Sequence, residues 1–291
     1  MKVLVTGATG QVGWELQRCV PAGIELDVAG RAGIDLAADD VRERVLARTP
    51  ELIINAAAYT AVDRAETEPG LAFAVNAAGA GAVAAAAHQL GVRLVHLSTD
   101  FVFDGNASRP YGPDSSPAPL GVYGASKREG EIRVLEASAG AAVIVRTSWV
   151  YSAHGNNFVK TMLRLMRERD RLGVVADQVG SPTWARLLAA AVWEIALNPA
   201  LDGILHWSDL GVASWYDFAI AIHEQACARG LLDGQHALAI DPIATEDYPT
   251  PARRPAYSVL DKSRALRELQ AQRLHWRVAL GAMLDELRLN P

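Results

Sequence analysis

Lys2-Val3-Leu4-Val5-Thr6 is a short apolar run rich in β-branched residues, and it passes directly into Gly7-Ala8-Thr9-Gly10-Gln11-Val12-Gly13 and then Trp14-Glu15-Leu16-Gln17-Arg18. The order strand, glycine turn, helix follows from that change of pattern. Glycines at 7, 10 and 13 let a backbone approach a pyrophosphate closely and turn helix N-terminal N–H groups toward it. The spacing is Gly-x-x-Gly-x-x-Gly rather than the commoner Gly-x-Gly-x-x-Gly, and a tight turn that binds nothing is the competing account. Its place at the first strand-to-helix junction favours a dinucleotide.

Outward from that unit the chain keeps alternating. Further strands are predicted over 24–29, 51–55, 92–98 and 141–146, with helices over 39–47, 66–90 and 128–137 between them. Strands separated by helices give an α/β fold with a doubly wound parallel sheet, Rossmann-like, and helices on both faces. After Trp149 the rhythm loosens into helices over 157–168, 183–197, 214–229, 262–269 and 276–287, short strands near 173–175 and 204–207, and a Pro-rich loop from Asp241 to Pro255. The expectation is an NAD(P)-binding domain over 1–150, with a return pass from about 170 to 207. Residues 151–291 would form mainly a smaller, partly interwoven substrate lobe, with the ligand cleft at the carboxyl ends of the strands.

Composition narrows the function classes. With 291 residues, 50% hydrophobic content, 21% charge and a net charge of -5, the chain has no basic stripe for nucleic acid. No charged-then-apolar signal segment is seen, and the Ala77–Ala87 run is too short and too weakly apolar to span a bilayer, so no membrane partner and a cytoplasmic location are expected. Cys19 and Cys227 suit buried free thiols better than a bridge or a metal site.

Tyr123 stands four residues ahead of Lys127, where a Gly/Pro-rich loop gives way to the helical run from Ser126. That spacing stacks both side chains on one helix face. An ammonium beside a phenol favours the phenolate, so the pair is a candidate proton-transfer device with a lowered tyrosine pKa. The pattern alone also arises in helices without any such role. Strand two runs out in Gly30-Arg31, which suits a 2′-phosphate and hence NADPH; Asp27 has the spacing of a ribose-binding acid, which suits NADH. Asn55-Ala56-Ala57-Ala58-Tyr59 offers small residues against which a cofactor can lie, or a helix-packing patch. Ser98-Thr99-Asp100 puts hydroxyls at the mouth of the same cleft.

Together, Thr6-Gly-Ala-Thr-Gly-x-x-Gly13, Asn55-Ala-Ala-Ala58, Ser98-Thr-Asp100 and Tyr123-x-x-x-Lys127 resemble the extended short-chain dehydrogenase/reductase family. More narrowly, Gly10-Gln-Val-Gly-Trp-Glu-Leu-Gln17, Tyr59-Thr-Ala-Val-Asp63, Arg146-Thr-Ser-Trp-Val-Tyr151, Gly155-Asn-Asn-Phe158 and Tyr248-Pro-Thr-Pro-Ala252 resemble its dTDP-4-dehydrorhamnose reductase branch. The resemblance implies NAD(P)H-dependent reduction of the C4 keto group of dTDP-4-dehydro-L-rhamnose to dTDP-L-rhamnose. It implies that Tyr123 protonates the C4 oxygen, that Lys127 tunes it and holds the nicotinamide ribose, and that Thr99 hydrogen-bonds the same oxygen, with Asp100 nearby. Gly7, Gly10, Gln11 and Val12 are implied at the pyrophosphate, Asp35 and Leu36 at the adenine end, Ala56, Ala57 and Ala58 with Tyr59 at the nicotinamide side, and Trp149 at the substrate. For Trp149 the competing account is an indole that fills the core.

Some members of this family resemble metal-dependent dimers in which glutamates share a Mg²⁺ ion, and Glu15 and Glu286 stand near such positions. Arg186 falls where a third glutamate is sought, and a guanidinium there opposes a cation; a homodimer stays open. Prolines 249, 251 and 255 stiffen the loop carrying Arg253 and Arg254, which makes either arginine a candidate clamp for the substrate diphosphate, Arg254 the better placed, against pairing with surface acids such as Glu246 or Asp247. Two other readings remain: a nucleotide-sugar epimerase or dehydratase on the same scaffold, and an NADP-binding regulatory subunit resembling that of methionine adenosyltransferase.

Overall fold

Alternation of side chains along each strand sets the two faces of the central sheet. In the computed structural model, which describes residues 1–235 and 237–289, β1 (Lys2–Thr6) sends Val3 and Val5 into one core and Leu4 into the opposite one. With β2 (Glu25–Ala29), β3 (Leu52–Asn55), β4 (Arg93–Thr99), β5 (Val143–Thr147) and β6 (Ile204–His206), β1 forms a parallel sheet in the order β6-β5-β4-β3-β1-β2. Ile54, Val95 and Val145 join Val3 and Val5; Ile53, Leu94 and Ile144 join Leu4. Strands buried on both faces are apolar at nearly every position, as a parallel sheet requires.

The helices divide between these faces. α1 (Gln11–Arg18) follows the glycine turn, α2 (Val41–Leu46) follows β2, α3 (Val62–Ala65) is a single turn, and α4 (Pro69–Leu90) and α5 (Val122–Ala137) flank β4. α4 passes through a π-helical stretch at Ala74–Gly79. Its 22 residues lie within the helix expected over 66–90 and are apolar enough to cross a membrane by length and composition, although the Ala77–Ala87 run alone is too short. Ala80, Val83, Ala84 and Ala87 are spent on the sheet, as in a core helix.

Beyond β5 come α6 (Phe158–Glu168), α7 (Ala185–Leu197), α8 (Trp215–Ala228), α9 (Ser263–Glu268) and α10 (Trp276–Leu289). α7 returns to the large sheet beside α1, where the Trp193 indole donates to the Leu16 carbonyl at 3.0 Å, and β6 then pairs with β5. Arg171–Val175 pairs instead with Ala239–Ile243, so the Pro-rich loop begins as a strand. Val159, Phe218, Ile222, Trp276 and Leu280 make a separate core between α6, α8 and α10. Cys19 and Cys227 are free and half-buried rather than buried.

Because β1 lies between β2 and β3, the winding direction reverses there, and a crevice opens at the carboxyl ends of β1 and β3.

Candidate active site

Two glycines of the turn are demanded by contact. Gly7 has φ +71°, and a Cβ on it would sit 2.6 Å from the Ala57 nitrogen; a Cβ on Gly13 would fall 2.1 Å from the Gly7 carbonyl oxygen. The turn therefore packs directly on the strand-three alanines. A groove of about 700 Å³, counting its open mouth, runs from Gly7 and Gly10 past Arg31, Asp35 and Leu36 to Ala56, Ala57, Ala58 and Tyr59. Nine of the expected cofactor contacts are thus gathered on one wall system, joined by Thr9 from within the glycine motif and by Ile34, Leu71 and Val75, which the motifs do not reveal. Leu71 and Val75 are four apart on α4, a spacing that does place them on one face.

Gly30 is not among the groove walls; its carbonyl accepts from Gly33 and Ile34 at 2.9 and 3.0 Å in the turn that carries Arg31. Arg31 is exposed and bonds Asp35 through Nε at 3.1 Å. The Asp35 carboxyl is held below its usual range, first by the Ala37 N–H and then by Arg31. Asp27 is gripped by Arg48, with Lys2 at 3.7 Å, and is not among the groove walls. Gln11 turns away to the Val150 carbonyl (3.4 Å) and the Asn157 amide (3.0 Å), and Val12 packs into the core.

Tyr123 is the second residue of α5, because that helix begins at Val122 and not near Ser126 as its sequence implies. The ring lies edge-on to Phe101, with centroids 5.5 Å apart, and packs on Ala65 and Ala72. Lys127, one turn on, is 2% exposed and donates to the Leu97 carbonyl at 2.7 Å. Thr99, at the end of β4, donates to Asp100 at 3.1 Å and accepts from the Phe101 N–H at 3.2 Å.

The tyrosine pKa runs opposite to the expectation from the Tyr-x-x-x-Lys spacing. Burial pushes Tyr123 up to about 12, the neighbouring Asp100 charge adds to the rise, and only the Thr99 hydroxyl opposes it. Lys127 is itself brought down to about 8 by burial, against the pull of Glu131. Burial dominates both shifts, and neither group figures among the charges that move the other. Burial also raises Asp100 to about 6, while the Ser258 and Thr99 hydroxyls hold it down.

Behind this trio stands a network that the motifs do not announce. Glu131, four residues after Lys127, accepts from Ser98 at 2.6 Å and from Arg146 Nε and Nη2 at 2.7 Å each, all buried. Asn76, from the π-helical stretch, bonds the Tyr59 backbone at both ends (2.8 and 3.0 Å) and the Ser126 hydroxyl at 3.0 Å. These bonds tie the Tyr59 end of the groove wall to the helix that carries Tyr123 and Lys127.

Trp149 adopts φ +47°, uncommon for a residue with a side chain, and stacks on Trp215 with centroids 3.5 Å apart and planes 4° from parallel. Its ring also covers Gly180, where a Cβ would meet Cε2 at 2.6 Å. Arg254 pairs with Asp63 rather than with Glu246 or Asp247. Arg253 is exposed, and its carbonyl lies 3.9 Å from where a Cβ on Gly121 would be, two residues before Tyr123.

The residues near the two glutamates do not fit a divalent cation. Arg186 lies between them, Nε 3.1 Å from Glu15 and Nη2 3.1 Å from Glu286, and Arg18 reaches both carboxylates. Among the described residues, no group of three or more His, Cys, Asp or Glu could hold a metal ion.

The family model of the RmlD substrate binding domain matches residues 1–289. A dTDP-4-dehydrorhamnose reductase of Escherichia coli (strain K12) is 43% identical over 296 residues, covering 99% of this chain and 98% of the relative. A crystal structure of a Clostridium acetobutylicum dTDP-4-dehydrorhamnose reductase superposes with a TM-score of 0.91 at 37% identity, covering 99% of this chain and 100% of that one. The Bacillus anthracis dTDP-4-dehydrorhamnose reductase, solved in complex with NADP, gives a TM-score of 0.89 at 37% identity over 98% and 99% of the two chains.

Proposed function

This chain belongs to the RmlD substrate binding domain family, and on that premise we propose that it is an NAD(P)H-dependent dTDP-4-dehydrorhamnose reductase. It reduces the C4 keto group of dTDP-4-dehydro-L-rhamnose to give dTDP-L-rhamnose. The observation that carries this reading is the convergence of Tyr123, Thr99 and Lys127 at the end of β4, beside a glycine-walled groove at the switch point of the sheet.

The groove fits a dinucleotide: Gly7 and Gly13 admit no side chain, Gly7 and Gly10 keep the backbone bare, and Ala56 to Ala58 continue that bare wall. Once bound there, the reduced nicotinamide supplies the hydride that the substrate's C4 carbon accepts. Tyr123, kept protonated by burial, donates its proton to the C4 oxygen as negative charge develops on it. The Thr99 hydroxyl stabilises the same oxygen. Lys127, fixed by Leu97 and backed by Glu131, places a positive charge beneath the phenol and holds the nicotinamide ribose. Arg31 takes the 2′-phosphate of NADPH, and Arg254 with Arg253 takes the substrate diphosphate, with Trp149 packed on the sugar.

In this scheme residues 1–150 hold the cofactor and 151–291 mainly the sugar nucleotide, and the work is cytoplasmic. Oxidation of NADPH by the pure protein, dependent on added dTDP-4-dehydrorhamnose and yielding dTDP-rhamnose, tests the assignment. Absence of that dependence overturns it.

A further inference from the structure

α5 lacks a cap of its own. Its N-cap is Gly121, extended at φ -142° and ψ 175°, with no side chain to accept a bond from the first turn. An uncapped helix start leaves backbone N–H groups without partners. Here the oxygen comes from elsewhere: Glu66 Oε1 accepts from the Val122 N–H at 2.8 Å, across 56 residues of sequence. The glycine at 121 makes room for it, since a Cβ there would stand 2.6 Å from the same Oε1.

Glu66 is itself held in place. It follows α3, whose Ala65 and Val62 pack in one cluster with the Tyr123 ring, and Asp63 of the same turn carries Arg254 and accepts from the Ala252 N–H at 3.2 Å. α3 is therefore clamped between the arginine loop and the helix bearing the proton donor. The next residue after the capped amide is Tyr123.

We propose that Glu66 is a positioning residue for Tyr123, acting as a cap supplied from α3 to the start of α5, with Gly121 as its complement. The proposal rests on the reductase reading, in which Tyr123 must meet the C4 oxygen. A helix start that loosens by a fraction of an ångström displaces a phenol one residue away, and misplacement on the scale of 1 Å costs about 10²-fold in rate.

Glu66→Ala removes the acceptor, and Glu66→Gln keeps a carbonyl oxygen in its place. Glu66→Ala should lower kcat about tenfold or more with the dissociation constant for NADPH unchanged within about twofold, and Glu66→Gln should restore kcat to within about threefold of wild type. Gly121→Ala should lower kcat similarly, and the double variant Glu66→Ala/Gly121→Ala should be no worse than either single one. Wild-type kcat in Glu66→Ala, a Gln variant as slow as the Ala variant, additive losses in the double variant, or parallel weakening of NADPH overturns the proposal. Amide hydrogen exchange without substrate separates this from the reductase reading: Val122 should exchange at least about tenfold faster in Glu66→Ala while the amides of α4 keep their rates. Unchanged Val122 exchange overturns the cap whatever the enzyme's substrate proves to be.

Discussion

The Arg254 guanidinium grips Asp63 with two parallel bonds, Nη1 to Oδ1 at 3.0 Å and Nη2 to Oδ2 at 2.7 Å. Such a fork is the geometry in which arginine binds carboxylate or phosphate. The pair is partly exposed, so an incoming diphosphate can exchange for the carboxylate at modest cost. Arg254→Ala should raise the substrate KM at least about tenfold, in line with about 1.5–3 kcal/mol for a charge-assisted contact, and leave NADPH affinity alone. If KM is unchanged in both the Arg254→Ala and Arg253→Ala variants, neither arginine holds the diphosphate.

A phenol kept protonated by burial is a proton donor across the physiological range, so Tyr123→Phe, which preserves the ring packing on Phe101 and Ala65, should cut turnover by about 10²-fold or more. Cofactor binding should hardly change. Lys127, brought down to about 8, loses its charge as pH rises through that value, and kcat/KM should fall on the alkaline side with an apparent pKa near it. Near-normal turnover in the phenylalanine variant removes Tyr123 from the mechanism, and a flat alkaline limb removes the Lys127 charge.

In the proposed reductase, cofactor choice turns on Arg31. It stands on the groove wall, whereas Asp27, the acid with the right spacing for a ribose, is taken by Arg48 and Lys2. Arg31→Ala should weaken NADPH by about 1–3 kcal/mol and NADH almost not at all, measured as dissociation constants. Equal losses for both cofactors would make Arg31 a surface charge that pairs with Asp35 and nothing more.

What could be seen in advance divides along physical lines. The sheet was legible because Val3, Leu4 and Val5, Ile53 and Ile54, and Leu94 and Val95 are apolar on both faces, a local pattern that only a parallel strand needs. The glycine turn that walls the groove was legible because glycine contacts leave a sequence trace. The start of α5 was not, because its cap is Glu66, far away in sequence. The sign of the Tyr123 pKa shift was hidden for a related reason: spacing shows that Lys127 is near, but burial is set by the packing of Ala65, Ala72 and Phe101. Arg254 and Asp63, 191 residues apart, and the buried Arg146 and Glu131 pair carry no local signal at all.

Asp209 gives the last prediction, and it concerns stability. The side chain is 3% exposed; Oδ2 accepts from the Trp184 N–H at 2.9 Å, and Lys262 reaches the Asp209 backbone carbonyl at 3.0 Å. Burial raises its pKa to about 7, with the Trp184 N–H and the Lys262 charge restraining the rise. In the unfolded chain the group titrates near 4, so between about pH 4 and pH 7 the folded protein binds more protons than the unfolded one, and stability falls as pH rises through that window. The contribution is fully present below the unfolded value and gone above the folded one. Asp209→Asn cannot ionise, yet it keeps a carbonyl oxygen for the Trp184 N–H. Denaturant unfolding of both proteins at about pH 5 and about pH 8 should therefore show the asparagine variant gaining about 2–3 kcal/mol on wild type between the two. Titrating groups that Asp209 does not influence, Asp100 among them, act in both proteins and largely cancel in the difference, whereas Lys262, whose charge Asp209 supports, loses that support in the asparagine variant. A gap that stays constant with pH would mean that Asp209 does not ionise in the folded protein with a raised pKa.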